Sequence, residues 1–196
     1  MGYQKTIIIT LISILAPSLL AQEAENNIAQ VCDYDRDAML ALDEQAFDQD
    51  MNGGWRTLAR DPCLEVAADL IRDYREVNEI ETSISYWHEG QLRATAGMRD
   101  EAIPLLEKAR HDPDEDKFGW NYYVDATIAF LNSDKAALEK ARENLAQIHK
   151  PENLPMNDIN GNPIEISWPP NLDVVDGLIA CFEKNYSEAY GINCRP

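Results

Sequence analysis

Apolar residues recur every three or four positions along most of this chain, the spacing of one helix face. The pattern is clearest from Ile84 to Pro113. Ile84, Trp87, Gln91/Ala94 and Met98 share one face, and Gly97 and Asp100 then break and cap. Ala102, Leu105, Leu106 and Ala109 share the next face, which stops at Asp112-Pro113. Two helices joined by about three residues make an antiparallel hairpin. The same spacing predicts a helix over 36–51 (Met39, Leu40, Leu42, Ala46, Phe47, Met51). Asn52-Gly53-Gly54 breaks it, Trp55 to Leu58 restarts a turn, and Asp61-Pro62 ends that element. A strong helix follows over 64–77, with Ala67, Leu70, Ile71, Tyr74 and Val77 on one face.

The charged turn 113–117 leads into a helix lined by Trp120, Val124, Thr127/Ile128 and Leu131. Ser133 or Asp134 caps the next, whose face is Leu138, Ala141, Leu145 and Ile148 and which Pro151 stops. The character then changes. Residues 150–171 hold five prolines, and two alternating runs (Leu154, Met156; Ile164, Ile166, Trp168) flank Asn160-Gly161. That is a hairpin signal, so a small β-hairpin or an ordered loop packed by Trp168 is expected there. Helix returns over 172–193.

Small residues mark the helix crossings. Gly90, Gly97, Ala102, Leu106 and Ala109 sit where tetratricopeptide repeats carry their small and apolar packing residues, and Pro113 falls near the repeat's terminal proline. Trp120 lies 33 residues after Trp87, and Ala136 lies 34 after Ala102. Gly177, Tyr186 and Ala189 repeat the glycine, aromatic and alanine in a shortened last unit. The chain thus resembles tetratricopeptide-repeat (TPR) proteins over roughly 64–191, interrupted at 150–171, and only 84–113 is specific. The resemblance implies an all-α fold, a short TPR-like solenoid of three to four helical hairpins with one irregular or β-hairpin insertion. It also implies a concave face lined by the first helix of each pair, here His88, Gln91 and Thr95, then Asn121, Tyr122 and Asp125. Trp120 belongs to the apolar stripe. Tyr122, about 200° away at 100° per residue, is expected in the groove.

The N-terminus is read separately. Lys5 precedes an uncharged apolar run, Thr6 to Ala21, and Leu19-x-Ala21 suits signal cleavage. Residues 1–21 are therefore expected to be a signal peptide and 22–196 a single domain. The run is slightly short for a membrane span and contains Pro17, so no stable anchor is expected after cleavage. Removing the leader takes Lys5 and no acid, so the formal charge falls from −18 to −19. Such a surface repels nucleic acid and anionic lipid and attracts basic partners.

Cys32, Cys63, Cys181 and Cys194 then form an even set in an exported chain, which suggests two disulfides and allows three connectivities. Cys32–Cys63 with Cys181–Cys194 is favoured, since each bridge staples one terminal unit.

Candidate chemistry is sparse. Asp48-x-Asp50-x-Asn52-Gly53 copies half of an EF-hand calcium loop, but Ala59 stands where the bidentate acid is needed. His88-Glu89-Gly90-Gln91-Leu92 begins like H-E-x-x-H and fails at Leu92. No nucleotide loop or nucleophile elbow is present, and no cofactor or metal is expected. Asn185-Tyr186-Ser187 is a glycosylation sequon, meaningful only in a source that glycosylates.

The function expected from these features is non-catalytic. A periplasmic or secreted protein holds another protein or peptide, a basic one by charge, in its concave groove. A sharper form is an inhibitor or immunity-type protein covering a basic active site. The rival is an envelope enzyme acting on cell-wall or sugar substrates, with acids from 48–50 or 121–125.

Overall fold

The computed structural model describes residues 31–151 and 167–196, and all regular structure among them is helical. The expected leader and most of the expected insertion lie outside the described residues. In chain order the helices are α1 (Arg36–Leu40), α2 (Leu64–Asn78), α3 (Ser83–Thr95), α4 (Arg99–Lys108), α5 (Trp120–Leu131), α6 (Lys135–Ala146), α7 (Leu172–Ala180) and α8 (Tyr186–Tyr190). A π turn (Gln45–Gln49) and two 3₁₀ turns (Gly54–Leu58, Ile192–Cys194) complete them. None of these helices is long and apolar enough to cross a membrane.

The predicted helix over 36–51 is broken. The Asp43 carboxylate accepts from Ala46 N at 2.8 Å, offering the backbone a partner other than the helix ladder. The chain restarts as the π turn, which buries Phe47 and Asp48 and leaves Met51 73% exposed. Phe47 stacks on Tyr74 at 3.6 Å between ring centroids, and Tyr74 Oη donates to Leu42 O at 2.9 Å. The Cys32–Cys63 bridge closes this unit over the start of α2. Val77, expected on the buried stripe of α2, lies in its last turn and is 60% exposed.

α3 and α4 form the expected hairpin, turning through Gly97 at φ 80°, a conformation that favours glycine. A Cβ on Gly90 would stand 3.1 Å from Leu106 Cγ and Cδ2 and 3.2 Å from Leu105 Cβ. The missing side chain therefore lets the two helices approach closely. Ala102 is fully buried, in the apolar cluster that also holds Leu106. α5 and α6 pair in the same way, with Asp134 capping α6 through Ala137 N at 2.9 Å.

α3 is a shared wall. Leu92 belongs to the N-terminal apolar cluster with Leu70, Ile71 and Trp55. Trp87 and Ala94 belong to a larger cluster with α4, α5, α6, α7 and α8. Trp87 joins the hairpins, meeting Trp120 edge-on at 4.8 Å and Tyr123 at 4.7 Å. Trp120 is half-buried rather than sealed, because its indole reaches the hairpin end, donating to Ala109 O at 2.7 Å.

α7 packs on α5 and α6, and Arg142 bonds Asp176 at 2.8 Å. The second bridge, Cys181–Cys194, then folds the C-terminus so that α8 reaches α3. Both favoured disulfides are present, which fits an oxidising compartment. Beside the insertion, Trp168 donates to Ile148 O at 2.8 Å and meets Phe118 at 5.8 Å.

Candidate functional site

The six residues expected to line one groove go to separate places. His88 turns to the N-terminal unit, where its Nδ1 lies 2.7 Å from Asp48 Oδ1. The π turn aims the Asp48 carboxylate inward, and the group also accepts from Trp55 Nε1 at 2.9 Å and Gln49 Nε2 at 2.5 Å. Arg56 lies 4.2 Å over the Trp55 ring and donates to the Asp48 carbonyl. Burial raises the Asp48 carboxyl, but the bond and charge of His88, the Trp55 N–H and Arg56 together hold it below its ordinary value. Asp48 is thus a buried carboxylate with three donors. Asp50 instead points out and accepts from Asn52 N at 2.9 Å. Among the described residues, no group of three or more His, Cys, Asp or Glu is placed to hold a metal ion.

Gln91 lies under the C-terminus, where its amide adjoins the Tyr186 hydroxyl. Gln91 Nε2 and Tyr186 Oη are both sealed from solvent and find no hydrogen-bond partner of good geometry among the described residues. Burial pushes the Tyr186 hydroxyl far up. Thr95 donates to Gln91 O at 2.8 Å, within its own helix.

On α5, Asn121 is a clamp. It accepts from His111 N and donates to His111 O, both at 2.9 Å, while Asp116 accepts from Trp120 N and Asn121 N at 2.8 and 2.7 Å. These bonds fix the loop that opens α5. Tyr122 is half-buried and packs against the larger core. Asp125 faces the end of α4, 2.8 Å from Arg110 Nη2.

One polar feature escaped the sequence reading. At the α2–α3 interface Glu89 is buried between two buried arginines, bonded to Arg75 and to Arg93 Nε and Nη2 at 3.1 Å each. Arg93 continues to Asp69 at 2.8 Å and to Glu101 on α4 at 3.0 Å. The available signal was Glu89 and Arg93 four apart on one helix face.

An open groove of about 350 Å³ runs between α4, α5 and α6. Ile128, Ala129, Ala137 and Ala141 give it apolar walls of mostly small side chains, and Glu107, Arg110 and Asp125 stand at one end. No family model, curated protein or solved structure matches this chain.

Proposed function

We propose that this is an exported, non-catalytic, TPR-like protein that binds another protein or peptide, a periplasmic or secreted binder of inhibitor or immunity type. The carrying observation is the open groove between α4, α5 and α6, with small apolar walls and acids at its end. Open grooves of this kind suit an extended partner segment rather than a sequestered small substrate. The acidic chain, at a formal −18, favours a basic partner. Of the six residues expected to bind, only Asp125 lines this groove. The interior face of α3, by contrast, is covered near Gln91 by the chain's own α8.

The enzyme reading draws on fewer features. Asp48 is held by Trp55 and His88, and Asp125 by Arg110, so each carboxylate is engaged within the protein.

The test is affinity capture of the disulfide-bonded protein's partner from its own envelope extract, repeated with Ala137→Arg. Ala137 is exposed and lines the groove, so the variant blocks the groove and leaves folding intact. Capture lost at an unchanged melting temperature supports the reading. Equal capture by both proteins removes the groove from the function.

A further inference from the structure

We infer that the groove between α4, α5 and α6 seats an arginine of the partner, and that Arg110 occupies this seat in the free protein. The inference rests on the binding reading above and names the chemistry of the same site.

Arg110 lies just beyond α4, and its guanidinium bridges two helices. Nε is 2.5 Å from Glu107 Oε2 on α4, and Nη2 is 2.8 Å from Asp125 Oδ1 on α5. Nη1 reaches Asn121 O at 3.5 Å. Two carboxylates and a carbonyl thus converge on one planar cation. Arginine matches this arrangement better than lysine, because its fork bonds two acceptors at once. The acceptors are placed by α4, α5 and the Asn121 clamp, so the seat survives when Arg110 leaves.

Leaving is cheap. The side chains of Arg110, Glu107 and Asp125 are 32%, 48% and 44% exposed. Ion pairs in such water contact stabilise little, and exchanging one guanidinium for another conserves the bonds. The remaining charges nearby are engaged elsewhere. Lys140 turns to Glu143 at 3.3 Å, and the Asp134 carboxylate caps α6. Beyond the seat, Ala129, Ala137 and Ala141 leave room for an arginine stem and one apolar neighbour. A partner segment with an arginine and a nearby leucine fits both parts, and the negative field of the chain draws it in.

The probe is an acetylated, amidated extended peptide carrying one arginine and a leucine two residues on, so that both share one face, on a threonine and glutamine background. A twin with citrulline, which keeps the shape without the charge, is the control. Binding to the disulfide-bonded protein is followed by amide chemical shifts at low salt, for wild type, Arg110→Gln and Asp125→Asn. The arginine peptide should shift Asp125, Ala129, Ala137 and Ala141, and the citrulline twin should not. Arg110→Gln should tighten binding by about 3–10-fold, since a competent state hidden by an internal competitor lowers apparent affinity by its fraction. Asp125→Asn should weaken it.

If the groove shifts but Arg110→Gln binds no tighter than wild type, the seat inference is overturned and the binding reading stands. If the citrulline twin binds equally, arginine recognition is overturned. If neither peptide shifts the groove in wild type or in Arg110→Gln, the groove reading falls with it.

Discussion

His88 Nδ1 and Asp48 Oδ1 meet at 2.7 Å across 40 residues of sequence, tying the N-terminal unit to the first long hairpin. Burial raises the Asp48 carboxyl, but the bond and charge of His88, the Trp55 N–H and Arg56 outweigh it and leave the group below its ordinary value. A carboxyl depressed in the folded state contributes stability that is full above its unfolded value, about 3.9. That contribution is lost as pH falls through the lower folded value. Denaturant midpoints should therefore drop below about pH 4, and the drop should be smaller in Asp48→Asn. Asp48→Ala, which orphans Trp55 Nε1 and His88 Nδ1, should cost about 1–3 kcal/mol per buried donor at pH 7. Identical pH profiles for wild type and Asp48→Asn would assign the acid sensitivity to other carboxylates, such as Asp73, which Arg36 and Arg72 also depress against the opposing effect of burial.

The approach of α3 and α4 at Gly90 makes a packing prediction. A methyl at Gly90 meets Leu105 and Leu106 at 3.1–3.2 Å, and Ala102 is fully buried. Ala102→Leu adds three carbons at a fully buried position of the same helix, and overpacking of this kind costs about 1–3 kcal/mol. Chemical denaturation of Ala102→Leu should show the loss. A variant as stable as wild type would mean that the crossing has slack.

The helical hairpins were legible because periodicity and punctuation agree there. Trp87, Ala94, Ala102 and Leu106 mark faces, and Gly97 and Asp134 mark ends. The structure places the six expected groove residues in different surroundings, for a physical reason. A helical face specifies direction, not what covers it. His88 is claimed by Asp48 from a π turn that periodicity does not signal, and Gln91 is covered by α8 from the far end of the chain. Tyr122 lies on the edge of a core that α7 enlarges. Both disulfides were legible, since their cysteines flank the terminal units.

Glu89 tests the buried ionic cluster. Removing it by Glu89→Ala leaves the buried guanidiniums of Arg75 and Arg93 without their shared carboxylate. Breaking one side of a buried pair costs about 3–5 kcal/mol. Arg93 keeps Asp69 and Glu101, so the loss should fall mainly on Arg75. Glu101→Ala, at the exposed end of the same network, should cost about 0–1 kcal/mol. The joint change Arg75→Met with Glu89→Leu should restore much of the stability, because no uncompensated charge remains on α2. Equal losses for Glu89→Ala and Glu101→Ala in urea melts would show that the cluster is as solvated as its rim.

Tyr186 offers the sharpest test of how α8 sits on α3. Its ring is packed near Phe130 at 6.0 Å and Tyr190 at 5.6 Å, and the residue is only 4% exposed. Its hydroxyl is sealed beside Gln91, whose amide nitrogen is sealed too, and neither group finds a partner of good geometry among the described residues. A buried polar group without a hydrogen bond costs about 1–3 kcal/mol of desolvation. Tyr186→Phe removes the hydroxyl and keeps the ring, so it should leave stability unchanged or raise it by about 1 kcal/mol. Tyr186→Ala removes the ring as well and should lose about 3–5 kcal/mol, as large aromatic truncations do. Gln91→Leu should resemble Tyr186→Phe, because it removes the other unpaired group. The measurement is the denaturant midpoint of all three variants with both disulfides intact. A loss of more than about 1 kcal/mol in Tyr186→Phe would mean that the hydroxyl has a partner, and a bridging water shared with Gln91 is the group that fits. In that case Gln91→Leu should lose a similar amount, and the double variant should lose little more than either single one.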